Sequence, residues 1–206
     1  VLLTPIQRWF FEGPGADGQT QHYWNQAPLI EIREKYEPEI LQKALQALVE
    51  HHDALRLRYT PTTDGWIQAY AELDFDGLLE TRDLSEVDSE RLPEAIEAAA
   101  SAFQATLHIT RGPLFRALYM DLGAERSSRL LLAAHHLIVD GVSWRVLLED
   151  LQSAYAQARE SQTITLPPKT ASYQRWANAL AEYAQSEVVA ANAAYWLDGI
   201  WKQAAL

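Results

Sequence analysis

The chain holds one cluster of side chains suited to moving a proton: His135, His136, Asp140 and Gly141, in the run HHLIVDG. Imidazole, with a reference pKa of about 6.5, is the side chain best matched to taking a proton near neutral pH. The run stands where an apolar strand stops and a helix is about to start, and strand ends are where clefts form in α/β architectures. Neighbouring strand side chains point to opposite faces, so the two histidines cannot look into one pocket. One is expected to be structural and the other a candidate base. Asp140 can either orient a histidine or hold the loop by pairing with an arginine. Gly141 is expected to give the turn backbone freedom, and the helix after it presents free N–H groups that favour developing negative charge.

Competing chemistries fit less well. A metal held by His136 and Asp140 has two ligands, with no third histidine or carboxylate at a recognisable spacing. His51 and His52 sit at the end of a helix, where a positive imidazole complements the helix dipole. His22 and His108 are isolated and carry no assignment. Gly13, Gly15 and Gly18 lack the preceding strand and the spacing of a phosphate cradle. The chain has no cysteine, which excludes disulfides, thiolate chemistry and zinc sites built on Cys.

The elements that must position the cluster read as follows. Thr4-Pro5-Ile6-Gln7 is a capping box opening a helix with Ile6, Trp9 and Phe10 on one face, broken by Gly13, Pro14, Gly15 and Gly18. Leu29 to Arg33 alternates as a strand. Leu41, Leu45, Leu48 and Val49 mark an amphipathic helix from Pro38 to His52. Leu55 to Tyr59 and Trp66 to Tyr70 form a hairpin across Pro61 to Gly65. A helix spans about Ser89 to Leu107, with Leu92, Ile96, Ala99, Phe103 and Leu107 as its stripe. Gly112-Pro113 opens a strand from Leu114 to Leu122. Arg129 to Ala134 reads as a strand buried on both faces. Trp144, Leu148, Leu151 and Tyr155 then define a helix. Two more helices follow, about Ala171 to Ala184 and Glu187 to Trp201, whose aromatics (Tyr173, Trp176, Tyr183, Tyr195, Trp196, Trp201) read as packing anchors. The fold class is α/β or α+β.

Composition bounds the function. With 17 Lys+Arg against 28 Asp+Glu the formal charge is −11, the wrong sign for wrapping a phosphate backbone, so nucleic-acid binding is disfavoured. No run of 18 apolar residues occurs, so no membrane span is expected. There is no basic-then-apolar leader, which points to a cytoplasmic location. The chain starts at Val1 and runs straight into helix-like sequence, as a piece of a longer chain does.

HHLIVDGVSW (135–144) resembles the HHxxxDG signature of the nonribosomal peptide synthetase condensation superfamily. Ser143-Trp144, the opening TPIQRWFFE (4–12) and HYWNQ (22–26) resemble its epimerization branch more than its peptide-bond-forming branch. HHDALRLRY (51–59) matches an early motif shared by both. The resemblance implies a chloramphenicol acetyltransferase-like α/β sandwich lobe, one of two flanking an active-site channel. The implied substrate is an aminoacyl or peptidyl thioester on the phosphopantetheine arm of a peptidyl carrier domain. The implied reaction, an isomerisation, is L/D interconversion at the α-carbon without a metal or organic cofactor of the domain's own.

By resemblance His136 is the catalytic histidine and Asp140 the structural aspartate, with Arg56 its expected ion-pair partner. His135 and Gly141 shape the loop, and Trp144 packs beneath it. Family members run to roughly twice this length, and their glutamate opposite the histidine comes from a later EGHGRE-like motif, absent here. Residues 1–206 therefore resemble the N-terminal lobe of an epimerization domain without its C-terminal lobe. The fragment alone is expected to be inactive, and to self-associate through the apolar face that meets its partner lobe. Two other readings compete: a condensation-domain lobe forming amide bonds, and a non-catalytic lobe that only docks a carrier domain.

Overall fold

In a computed structural model, residues 1–13 and 21–197 are described. The first helix, α1 (Pro5–Glu12), is capped as expected, the Gln7 side chain accepting the Thr4 N–H at 3.0 Å. Its inward face is not the expected one. Gln7, Phe10 and Phe11 are buried, whereas Ile6 and Trp9 are 67% and 56% exposed. Periodicity alone cannot say which of two apolar stripes meets the core. Gly13 ends the helix, while Gly15 and Gly18 lie outside the described residues.

Short strands β1 (Asn25–Gln26) and β2 (Leu29–Ile32) are followed by α2 (Pro38–His51) and a 3₁₀ turn, Asp53–Arg56. The hairpin is β3 (Leu57–Thr62) with β4 (Gly65–Tyr70). Then come β5 (Leu79–Asp83), α3 (Leu92–Gln104), β6 (Phe115–Asp121), β7 (Ser128–His135) and α4 (Gly141–Arg159). Helices α5 (Tyr173–Ala184) and α6 (Glu187–Leu197) complete the described chain. β5 escapes a pattern search: LETRD is largely polar and no residue in it is buried.

β7 is the middle of the main sheet. β1 and β2 lie end to end along one of its edges, Asn25 opposite His135 and Leu29 opposite Leu131, both antiparallel. β6 pairs antiparallel on the other edge and carries β5 parallel beyond it. Because helices cover both faces, β7 can be apolar without alternation. Leu130, Leu132 and Ala134 face the core shared with α2 and α4. Leu131 and Ala133 face the smaller core under α3, where Ala99, Phe103 and Leu107 are buried as the stripe predicts.

The two last helices depart from expectation. Tyr173 packs on the main core, but Trp176, Tyr183, Tyr195 and Trp196 are each more than half exposed. As packing anchors these four are a misreading within the described chain, because helical spacing finds an apolar face without finding what covers it. Trp201 lies outside the described residues. No helix among the described residues is long and apolar enough to cross a membrane.

Candidate active site

The end of β7 separates the two histidines as strand geometry requires. His135 is fully buried. Its Nδ1 accepts the Leu137 N–H at 3.1 Å, and its Nε2 donates to the Gln21 carbonyl at 2.7 Å. Burial pushes its pKa down to about 4, so it is a neutral structural residue. His136 is exposed and lines a largely apolar cleft of about 720 Å³. Ile6, Trp9, Trp24, Trp176 and Leu180 supply much of the wall, which accounts for the exposed stripes of α1 and α5.

His136 is held at both nitrogens. Nδ1 lies 2.8 Å from the Val139 carbonyl and must donate to it, and Nε2 lies 3.1 Å from Gln26 Nε2. A carbonyl only accepts, so Nδ1 carries a proton, and the neutral ring that this geometry favours has its lone pair on Nε2. No carboxylate backs the ring, and no hydroxyl nucleophile bonds to it among the described residues. The arrangement fits a lone general base, not a nucleophile–His–acid triad.

A buried network fixes the loop from below. Tyr59 Oη donates to the Leu137 carbonyl at 3.0 Å and accepts from Gln7 Nε2 at 2.8 Å. Gln7 also donates to that carbonyl at 3.2 Å and exchanges hydrogen bonds with Gln68. All three side chains are 3% exposed or less. In the sequence Gln7 reads only as part of a helix cap. Its place on the same helical stripe as Phe10 and Phe11 is the signal that it points inward.

Three expectations are corrected. Asp140 does not pair with Arg56. It N-caps α4, its carboxylate accepting from the Ser143 N–H at 2.8 Å and the Ser143 hydroxyl at 2.7 Å, and these bonds hold its pKa below the usual carboxylate range. Arg56, at the base of the hairpin, donates to the Ala71 carbonyl at 3.4 Å, lies 5.9 Å from the Tyr70 ring centroid and leaves Nε buried without a partner. Second, Gly141 needs no special backbone freedom: its φ is not left-handed, and a Cβ there would meet nothing within 4 Å. The helix start behind it is no open anion site either, since Asp140 already occupies it. Third, His52 does more than complement a dipole. Its Nε2 bonds Asp150 Oδ2 at 2.7 Å, tying α2 to α4.

His51, His52 and Asp150 are the one group of three metal-capable side chains found together among the described residues. The direct His52–Asp150 bond already accounts for their proximity. Trp144 packs into the main core, and its Nε1 donates to Gln26 Oε1 at 2.8 Å.

A point mutant of the starter condensation domain of rhizomide synthetase shares this fold: 21% identity, TM-score 0.81, over 98% of this chain and 48% of that one. The epimerization domain from the third module of tyrocidine synthetase B is more similar, at 34% identity and TM-score 0.88 over 100% of this chain and 44% of that one. The mixed α/β lobe expected of this superfamily is therefore the fold found. A linear gramicidin synthase of Brevibacillus parabrevis is 48% identical over 197 residues, 96% of this chain but 4% of that protein. The chain thus spans under half of the solved domains and a small fraction of its curated relative. The condensation-domain family matches residues 1–205, and the chain belongs to that family.

Proposed function

We propose that residues 1–206 form the N-terminal lobe of an epimerization domain, and that His136 is its base. In the intact domain Nε2 takes the α-proton of a carrier-bound aminoacyl or peptidyl thioester. The C–H electron pair moves into the thioester carbonyl as an enolate, and a proton returned to the opposite face gives the epimer. The proton leaves and returns with no change of oxidation state, so the step needs no oxidant. The phosphopantetheine arm comes with the peptidyl carrier domain, and the group serving the opposite face comes from the C-terminal lobe.

The observation that carries this reading is an exposed imidazole in an apolar cleft whose Nδ1 faces the Val139 carbonyl, with no hydroxyl nucleophile bonded to it among the described residues. Whole-chain similarity to an epimerization domain supports it. The exposed wall of α1 and α5 suits a second lobe closing the cleft, and the isolated chain is proposed to be inactive and to self-associate through that wall. A condensation lobe would use the same histidine, and the family description favours that reading.

The test loads the carrier domain of the intact protein with an L-aminoacyl thioester in deuterium oxide and follows α-deuterium by mass spectrometry. Wash-in that vanishes with His136→Ala supports the epimerase. Amide formation with a supplied acceptor, and no wash-in, means condensation. Carrier binding indifferent to His136→Ala, with neither reaction, means a docking lobe. Turnover by the isolated 206 residues would overturn the claim that the lobe is inactive alone.

A further inference from the structure

Gln26 is the last residue of β1, opposite Ala134, and its side chain bridges two elements. Trp144 of α4 donates its indole N–H to Gln26 Oε1 at 2.8 Å, and His136, just past β7, presents Nε2 to Gln26 Nε2 at 3.1 Å. An indole N–H only donates. It therefore fixes which end of the amide is oxygen and turns the NH₂ end toward His136. The Val139 carbonyl independently requires the proton on Nδ1. Two separate partners thus dictate one proton placement, with Nε2 unprotonated.

We propose that Gln26, locked by Trp144, is the positioning residue of His136: it holds the imidazole as the Nδ1–H tautomer and keeps the Nε2 lone pair in place until substrate displaces the amide. The role rests on the proposed epimerization only for its catalytic consequence. A protonated Nε2 would meet the Gln26 NH₂ head on. Turning the amide to relieve that clash would set its NH₂ against the Trp144 N–H. The lock therefore sets which ring nitrogen carries the proton in the resting site and leaves the other facing the cleft. It also gives a shared reason for two sequence features far apart in the chain, the Gln of HYWNQ and the Trp after Ser143: each is one end of the same hydrogen bond.

The test uses the intact domain labelled with ¹⁵N-histidine, His136 being assigned by its loss in His136→Ala. At neutral pH the unaltered domain should show His136 with a protonated Nδ1 and an unprotonated Nε2. Gln26→Glu replaces the NH₂ with an acceptor for Nε2–H, so both ring nitrogens should become protonated. α-Deuterium wash-in should then fall about tenfold or more, with the half-saturating thioester concentration little changed. Trp144→Phe keeps most of the ring volume but frees the amide to turn. It should give a mixture of tautomers and a severalfold slower wash-in. A protonated Nε2 in the unaltered domain, or Gln26→Glu with an unchanged nitrogen spectrum, overturns the positioning role. Absence of wash-in in the unaltered domain overturns the epimerase reading instead, and the nitrogen spectra still decide the role of Gln26.

Discussion

Acid should loosen this fold through His135 before it reaches the carboxylates held below their ordinary pKa. In the folded chain His135 resists protonation down to about pH 4, because burial disfavours the charged ring. In the unfolded chain it titrates at the ordinary 6.5. Between these values the unfolded state binds a proton that the folded state refuses, so stability is complete above 6.5 and is lost as pH falls toward 4. The gap is worth roughly 3 kcal/mol at about 1.4 kcal/mol per pH unit. That is a large share of the 5–15 kcal/mol typical of a domain.

The carboxylates with lowered pKa values, Asp83, Asp121 and Asp140, stabilise the fold above their ordinary value of 3.8 and lose that contribution only below it, so the two windows separate. Half-buried His52, with His22 and His108, is also held below 6.5 and adds to the histidine window. The control is His135→Gln, whose amide can still donate to Gln21 and accept from Leu137 but does not titrate. Urea midpoints from tryptophan fluorescence at pH 7.5, 6.5, 5.5 and 4.5 should fall with acid more steeply for the unaltered chain than for the variant. The difference should approach roughly 1 kcal/mol per pH unit below 6. Equal slopes would refute the reasoning, because they would mean that His135 takes up no extra proton on unfolding.

Other outcomes follow from the loop and its supports. Asp140→Ala removes a helix cap from an exposed side chain, and should cost about 1 kcal/mol, a melting shift of a few degrees. A loss of about 3–5 kcal/mol would instead signal a stripped buried ion pair. Tyr59→Phe removes the two bonds at its hydroxyl, while Gln7 and the Leu137 carbonyl keep one another, and should cost about 1 kcal/mol in chemical denaturation. Gly141→Ala should leave the melting temperature unchanged or slightly raised, since its backbone is ordinary and space is open. A drop of several degrees would show that the turn needs glycine after all.

Much of the frame was legible in the sequence because local pattern decided it. The unbroken apolar run of β7 marks a doubly covered strand, the 3.6-residue stripes of α2 and α3 mark their buried faces, and Thr4-Pro5-Ile6-Gln7 is a cap wherever it folds. The misreadings share another cause. Which stripe of α1 turns inward, whether Trp176 and Trp196 are covered, and which partner Asp140 chooses are all set by groups distant in the chain or by competition with them. Asp140 is the clearest case. Ser143, three residues away, satisfies its carboxylate at the helix start, and local capping leaves nothing for a distant arginine. β5 was missed because a parallel edge strand can be largely polar.

The paired histidines carry this distinction to a single proton. Their spacing shows that they point apart, but it does not show that they need opposite tautomers. The turn after β7 presents an N–H from Leu137 to the first ring and a carbonyl from Val139 to the second. The first ring must therefore leave Nδ1 bare, and the second must protonate it. The rings are not interchangeable copies of a base, and the same few residues of backbone enforce both states. That shared backbone also couples them. Charging His135 puts a proton on its Nδ1, expels the Leu137 N–H and disturbs the turn two residues before the carbonyl that aims His136. The acid sensitivity of the buried ring should therefore reach the exposed one through the turn, without any direct bond between them.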